Sequence, residues 1–264
     1  MKVKIIVLRA PGTNCDSETA RALREAGAKV DIVHVNKLLT GKTDLFDYHG
    51  LVIPGGFSYG DRVRAGAIWA KKLKAHLWNI LAKYIESGCP VLGICNGFQV
   101  LVELNFLPGL SYGAEPQATL ASNTSAKFEC RWIYLIHENK GKCIFTRELS
   151  VGKVLRMPVA HSEGRFLLYS EDYLNKLLSS DQVVFRYATP EGKPAGGVYP
   201  FNPNGSLHDI AGICNPSGTV MGLMPHPERA IYSWQLPDSS ILSSYADGWL
   251  IFKSMINYIV EELL

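Results

Sequence analysis

Pro90-Val91-Leu92-Gly93-Ile94-Cys95-Asn96-Gly97-Phe98-Gln99 begins as an apolar run too short for a helix. It stops at a small-residue turn, beyond which a helical pattern starts. Gly93 and Gly97 flank Cys95, with one residue between each glycine and the cysteine. That is the G-x-nucleophile-x-G spacing of a strand-to-helix elbow. Such a turn crowds the backbone, so that glycine alone fits beside the nucleophile. It lifts the thiol to the sheet edge at a helix N-terminus, where the helix dipole and free N–H groups favour a thiolate. A buried cysteine in an ordinary strand–helix turn has the same spacing, so the rest of the chain has to decide.

Upstream, Val3 to Leu8 is a continuous apolar run, suited to a strand buried on both faces of a parallel sheet. It ends at Pro11-Gly12-Thr13-Asn14-Cys15-Asp16. There Asp16 or Ser17 is placed to cap a helix that Gly27 ends. Lys29 to Val35 and His49 to Ile53 read as the next strands, the second stopped by Pro54-Gly55-Gly56. Gly41-Lys42-Thr43 suggests a phosphate loop, but Asn36 stands where that pattern needs a glycine. A solvated turn without nucleotide is expected. Trp69, Leu73, Leu77, Ile80 and Tyr84 repeat at helical spacing and predict one apolar face, with Gly88 as the stop. A helix follows the elbow through Leu104. Alternating strands and helices predict an α/β fold with a doubly wound, mostly parallel sheet flanked by helices. Ligands of such sheets bind outside the carboxyl ends of the strands. The loops after Leu8, Ile53 and Ile94 are therefore expected on one rim.

The second half changes character. Phe128–His137, Lys153–Ala160, Gln182–Thr189 and Ile210–Cys214 read as strands separated by Asn/Pro/Gly turns. They predict antiparallel hairpins added to the parallel sheet. From about Asp247 a last helix carries Trp249, Phe252, Ile256, Ile259 and Leu263 on its buried stripe. With no internal repeat and no low-complexity linker, residues 1–264 are expected to form a single domain.

Two further stretches carry chemistry. In Met224-Pro225-His226-Pro227-Glu228-Arg229, His226 and Glu228 are two apart. In an extended segment they share a face, and the two prolines are expected to hold the chain extended. A carboxylate on one ring nitrogen fixes the tautomer of a histidine that must take a proton from a thiol with the other. Cys95, His226 and Glu228 are thus candidate nucleophile, general base and orienter. In Gly55-Gly56-Phe57-Ser58-Tyr59-Gly60-Asp61, the glycine pair lets backbone approach a ligand. Gly56 and Asn96 are the candidate oxyanion donors. Gly-Ile-Cys-Asn recurs at residues 212–215, but Pro216 follows it, so Cys214 is read as packing.

Bulk composition narrows the classes. A net charge of +3 gives no argument for nucleic acid or an anionic membrane. No apolar run is long enough to span a bilayer. The six cysteines form no C-x-x-C pair, so zinc or a redox dithiol is not expected. The start, Met1-Lys2-Val3-Lys4, leads into a strand without the features of a signal peptide, and a reduced, cytoplasmic location is expected.

Taken together these motifs resemble the class I, triad-type glutamine amidotransferases. More narrowly, they are similar to the glutaminase subunits of phosphoribosylformylglycinamidine synthase, of purine biosynthesis. The likeness is carried by residues 11–16, 55–61, 93–99, 161–166 (His161-Ser162-Glu163-Gly164-Arg165-Phe166), 202–206 and 224–229. Cys95-Asn96-Gly97-Phe98-Gln99 is its most discriminating part. The resemblance implies a flavodoxin-like amidotransferase fold and a glutamyl thioester on Cys95. It also implies that Gln99 contacts the substrate glutamine and that His161 has a positioning part in the glutamine pocket. It implies ammonia delivery to a synthetase subunit, which binds ATP and Mg and aminates formylglycinamide ribonucleotide. A small accessory subunit is expected in the complex. No cofactor is expected in this chain, nor nucleic acid or membrane as a partner. The stretch after Ala230 is longer than the resemblance implies and receives no role from it. Two other readings stand beside this one: the glutaminase domain of another class I amidotransferase, and a glutamine-sensing module. An intact Cys95, His226 and Glu228 disfavours the sensor, which needs no nucleophile.

Overall fold

A computed structural model describes residues 2–111, 116–237 and 245–264. The first half alternates: β1 (Lys4–Arg9), α1 (Asp16–Glu25), β2 (Lys29–His34), the short α2 (Val35–Leu39), β3 (Gly50–Ile53), α3 (Ala67–Glu86), β4 (Val91–Ile94) and α4 (Asn96–Glu103). The second half brings β5 (Ala118–Ala121), β6 (Glu129–His137), β7 (Val154–His161), β8 (Arg165–Leu168), α5 (Glu171–Ser179), β9 (Val183–Ala188), β10 (Ile210–Cys214), β11 (Val220–Leu223) and α6 (Asp247–Glu262).

Nine strands form one mixed sheet in the order β2-β1-β3-β4-β11-β10-β9-β6-β7. From β2 to β11 neighbours run parallel, and from β11 to β7 antiparallel. The predicted hairpins are thus a continuation of the sheet. β3 and β4 are buried along their whole length, as an unbroken apolar strand must be when helices cover both faces. β5 and β8 pair separately as a small antiparallel ribbon that the sequence pattern does not announce. Nor does it announce β11, which joins the two halves, running parallel to β4 and antiparallel to β10.

Local chemistry explains the helix ends and two departures from expectation. Cys15, not Asp16 or Ser17, occupies the N-cap of α1, and no side chain caps it. Asp16 instead pairs with Arg9 across the loop. Gly27 ends the helix with φ +106°. α3 buries Trp69, Leu73, Leu77 and Tyr84 as predicted, but Ile80 is 40% exposed and Leu81 takes its place. The i+4 step from Leu77 continues the stripe at Leu81 and leaves Ile80 on its margin. α6 buries Phe252, Ile256 and Ile259, with Trp249 and Leu263 half covered. Among the described residues no helix is long and apolar enough to cross a membrane.

Parallel strands end on the same side of the sheet. The loops after β1, β3 and β4 therefore share one rim, as expected, and the loop after β11 joins them there.

Candidate active site

Cys95 is the N-cap of α4, with φ 50° and ψ −103°, a conformation that costs a non-glycine residue energy. The surroundings enforce it. Its N–H donates to Leu223 O at 2.8 Å, and its carbonyl accepts from Gln99 N at 3.1 Å. The flanking glycines are steric requirements. A Cβ on Gly97 would stand 1.8 Å from Ile53 O, and one on Gly93 2.7 Å from Gly97 O. Only without those atoms can α4 turn back onto β3. The Cys95 thiol faces β7, with Ala160 O at 3.7 Å.

His226 reaches the same place from β11. Its backbone N–H donates to Pro158 O of β7 at 2.8 Å. Its Nδ1 is 2.6 Å from Glu228 Oε1, and both residues are 1% exposed. The expected extended segment is corrected here: only His226 is extended, and Pro227–Arg229 forms a 3-10 turn. Pro227 opens that turn, where its missing N–H costs nothing and its fixed φ suits the helix. The turn, not a shared strand face, brings Glu228 back onto the imidazole. His226 Nε2 is buried without a hydrogen-bond partner. Burial works against a charge on the ring. The Glu228 carboxylate and the nearby Cys95 and Cys15 side chains outweigh it, and the pKa stands well above the ordinary 6.5.

The cavity beside Cys95 is lined by Gly56, Asp61, Ala65, Gln99, His161 and Glu163, among others. Gly56, with φ +145°, has no room for a Cβ, which would fall 2.8 Å from Asn14 N. Its N–H enters none of the backbone bonds that tie this loop to residues 12–15. Asn96 is the first residue of α4, so its N–H also lies outside the helix's own ladder. The Asn96 side chain donates to Gln99 Oε1 at 2.9 Å, and Gln99 Nε2 donates to Glu163 O at 2.5 Å. Gln99 thus braces two walls of the cavity. His161 Nδ1 lies 3.2 Å from Asn123 Oδ1, which also accepts from Gly164 N at 3.1 Å. Asn204 Nδ2 donates to Gly164 O at 2.8 Å and fixes the same loop. Burial first, then the charge on His226, pushes the His161 pKa down to about 3, so its ring is neutral.

Sequence reasoning missed several members of this neighbourhood. Cys15 accepts from Arg229 Nη2 at 3.0 Å and lies beside the His226–Glu228 pair. Asp61 and Glu163 line the Cys95 cavity, and Asn123 and Asn204 hold its loop. All but Asn123 lie in or beside the motifs quoted above, so the signal was present. What the sequence lacked was their convergence. Among the described residues, Cys15, His226 and Glu228 are the one cluster of metal-ligating types, with donor atoms within 4.8 Å of one another. The His226–Glu228 bond already engages two of those residues with each other. Cys214, read as packing, is fully buried in β10, away from this rim.

Residues 2–259 match the family described as the CobB/CobQ-like glutamine amidotransferase domain. The phosphoribosylformylglycinamidine synthase subunit PurQ of Archaeoglobus fulgidus is 45% identical, over 98% of this chain and 97% of its own length. The PurQ subunit of Methanococcus maripaludis is 46% identical over 97% of each chain. A chain from the structure of PurLQS from Thermotoga maritima aligns with 98% of this chain and over 100% of its own length, at a TM-score of 0.75 and 34% identity. A glutamine amidotransferase from the same organism aligns at a TM-score of 0.55 and 16% identity, a likeness of fold alone.

Proposed function

The chain belongs to the CobB/CobQ-like glutamine amidotransferase family, and we propose that Cys95, His226 and Glu228 release ammonia from glutamine on its parallel-strand rim. The observation that carries this is the buried, unpartnered Nε2 of an imidazole fixed by Glu228, beside a cysteine held in a strained elbow.

The Cys95 thiol gives its proton to His226, its sulfur attacks the side-chain carbonyl carbon of glutamine, and the carbonyl π electrons move onto oxygen. The N–H groups of Gly56 and Asn96 receive that oxyanion. The C–N bond then breaks, and the His226 imidazolium gives its proton to the leaving nitrogen, which departs as ammonia. Its raised pKa keeps that proton available at neutral pH. A thioester remains on Cys95. Water adds to it, losing a proton to the now neutral His226, and the C–S bond breaks to release glutamate. Gln99 and His161 complete the wall that holds the substrate.

In the cell the chain works as the glutaminase subunit of phosphoribosylformylglycinamidine synthase, as one glutamine amidotransferase domain over residues 1–264. Ammonia passes to a synthetase subunit, which uses ATP with Mg to convert formylglycinamide ribonucleotide to formylglycinamidine ribonucleotide. A small accessory subunit completes a cytoplasmic complex, without nucleic acid or membrane. The test is ammonia release from glutamine, with and without the synthetase, ATP and the ribonucleotide. Release is expected to be weak alone and strongly stimulated by the partner. Cys95→Ala is expected to lower it by at least about 10⁴-fold. A glutamine-analogue warhead is expected on Cys95. Labelling at Cys15 instead, or full activity of Cys95→Ala, would overturn the reading.

A further inference from the structure

The turn that carries the catalytic pair also carries a rival for its carboxylate. Arg229 follows Glu228 in the chain. Its Nε lies 4.0 Å from Oε1, the oxygen that His226 Nδ1 meets at 2.6 Å. Glu228 Oε2 is buried and has no hydrogen-bond partner. A bare carboxylate oxygen inside a protein is costly, and a guanidinium is the group best shaped to fill the gap with two parallel N–H bonds. The Arg229 side chain is 37% exposed and that of Glu228 is fully buried, so the arginine is the partner with room to shift. It nevertheless stands off.

Cys15 is what holds it there. Its Sγ donates to Asn14 Oδ1 at 3.1 Å and accepts from Arg229 Nη2 at 3.0 Å. Cys15 is buried at the N-cap of α1, where its own N–H donates to Gly55 O at 3.3 Å and its carbonyl accepts from Thr19 N at 3.1 Å. The sulfur is within 4.8 Å of ligating atoms of both His226 and Glu228. It also packs on the same glycine as the ring: a Cβ on Gly55 would stand 2.8 Å from His226 Cε1 and 3.3 Å from Cys15 Sγ. Cys15 is therefore both an acceptor for the guanidinium and a spacer that fills the room beside the carboxylate. The charged or titratable groups around His226 come from four places. They are Glu228 and Arg229 on its own turn, Cys95 from the elbow, Cys15 from the loop before α1 and His161 from β7. His161 is neutral and adds no charge. Arg229 is a cation, and a cation drawn toward the ring disfavours the imidazolium.

We propose that Cys15 is a positioning residue of the reaction: by engaging Arg229 it reserves the Glu228 carboxylate for His226. Its effect on turnover rests on the glutaminase reading above, and its effect on the imidazole does not. The second thiol beside the catalytic histidine is then no reserve nucleophile. It acts through Arg229 and Glu228 on the proton that His226 carries.

The test follows the titration of His226 through its Cε1–H resonance in NMR, assigned by its loss in His226→Asn. It is made on the full chain as wild type, Cys15→Ala, Arg229→Met and the double variant. The same four forms, with the synthetase, are assayed for the pH dependence of kcat/KM in ammonia release. Thermal melting of each sets a temperature at which all are folded. Cys15→Ala is expected to lower the titration midpoint by at least about half a pH unit, and the alkaline limb of kcat/KM with it. KM for glutamine is expected to change little, since neither Cys15 nor Arg229 lines the cavity beside Cys95. Arg229→Met keeps the length and removes the charge, and in the double variant it is expected to return the midpoint to within about 0.2 of wild type. A midpoint unmoved by Cys15→Ala would overturn the proposal. So would a shift that persists in the double variant, which assigns it to direct contact between sulfur and imidazole. If no form releases ammonia and Cys95 takes no label, the glutaminase reading is refuted, while the NMR titration still decides the part of Cys15.

Discussion

Glu228 fixes the ring of His226 and also raises its pKa, and the two effects separate experimentally. Its carboxylate is buried against Nδ1 at 2.6 Å. Glu228→Gln keeps the shape and removes the charge. It is expected to lower kcat by about 10³-fold or more, since the ring loses both its orienting acceptor and the charge that holds its proton. A readout of pH then isolates the electrostatic part. His226 has a folded-state pKa above its unfolded value of 6.5. The stability it contributes is complete below that value and is lost as pH rises through the folded one. The melting temperature of wild type is therefore expected to fall through that alkaline window, and Glu228→Gln is expected to flatten the fall. Parallel melting curves from pH 6 to pH 9 would show that the charge does not act on this ring.

At the scale of elements, the elbow works because α4 packs almost onto β3. A methyl on Gly97 would meet the backbone oxygen of Ile53 at 1.8 Å, an atom that cannot turn aside. Gly97→Ala is expected to destabilise by more than about 3 kcal/mol, read as a shift in the urea midpoint. Gly27→Ala is the contrast. Gly27 has φ +106°, and a methyl added there would meet nothing within 4 Å, so the change is expected to cost backbone strain alone, about 1–3 kcal/mol. Equal costs would mean that conformation, not packing, selects glycine at the elbow. The same comparison explains what the sequence made legible. Runs buried on both faces, such as Gly50–Ile53 and Val91–Ile94, and the long stripes of α3 and α6 carry their signal locally. β11 and the β5–β8 ribbon acquire their form from partners far away in sequence. The bend at Pro227–Arg229 is hidden in the sequence because proline opens a 3-10 turn as readily as it blocks a helix interior. In the site, the elbow and the His226–Glu228 pair were visible as spacing. Cys15 and the Asp61–Glu163 pair were not, since their meaning lies in distances across loops.

On the scale of the whole molecule, catalysis needs two halves of the sheet to meet. β4 carries the nucleophile. β7 supplies the wall opposite it, through Ala160 and His161, and anchors His226 through Pro158 O. β11 lies between them, and the histidine turn that leaves it runs on toward the C-terminal helix. That helix closes over the turn. Gly248 N donates to Ala230 O at 2.9 Å, and a Cβ on Gly248 would stand 2.2 Å from Pro227 O. The segment after Ala230, silent in the sequence, thus sets the height of the turn that presents His226 and Glu228. Gly248→Ala is expected to push that turn toward the sheet and misplace the imidazole, lowering kcat by about 10-fold or more, because a shift of about 1 Å at reacting groups costs as much as 10²-fold. Labelling of Cys95 by a glutamine analogue is expected to slow in step with kcat, with KM for glutamine changing far less, since Gly248 lies outside the lining of the substrate cavity. The measurement is made well below the melting temperature of the variant, so that loss of fold does not stand in for loss of alignment. If kcat is unchanged there, the C-terminal helix is packing only, and the turn holds its histidine without it.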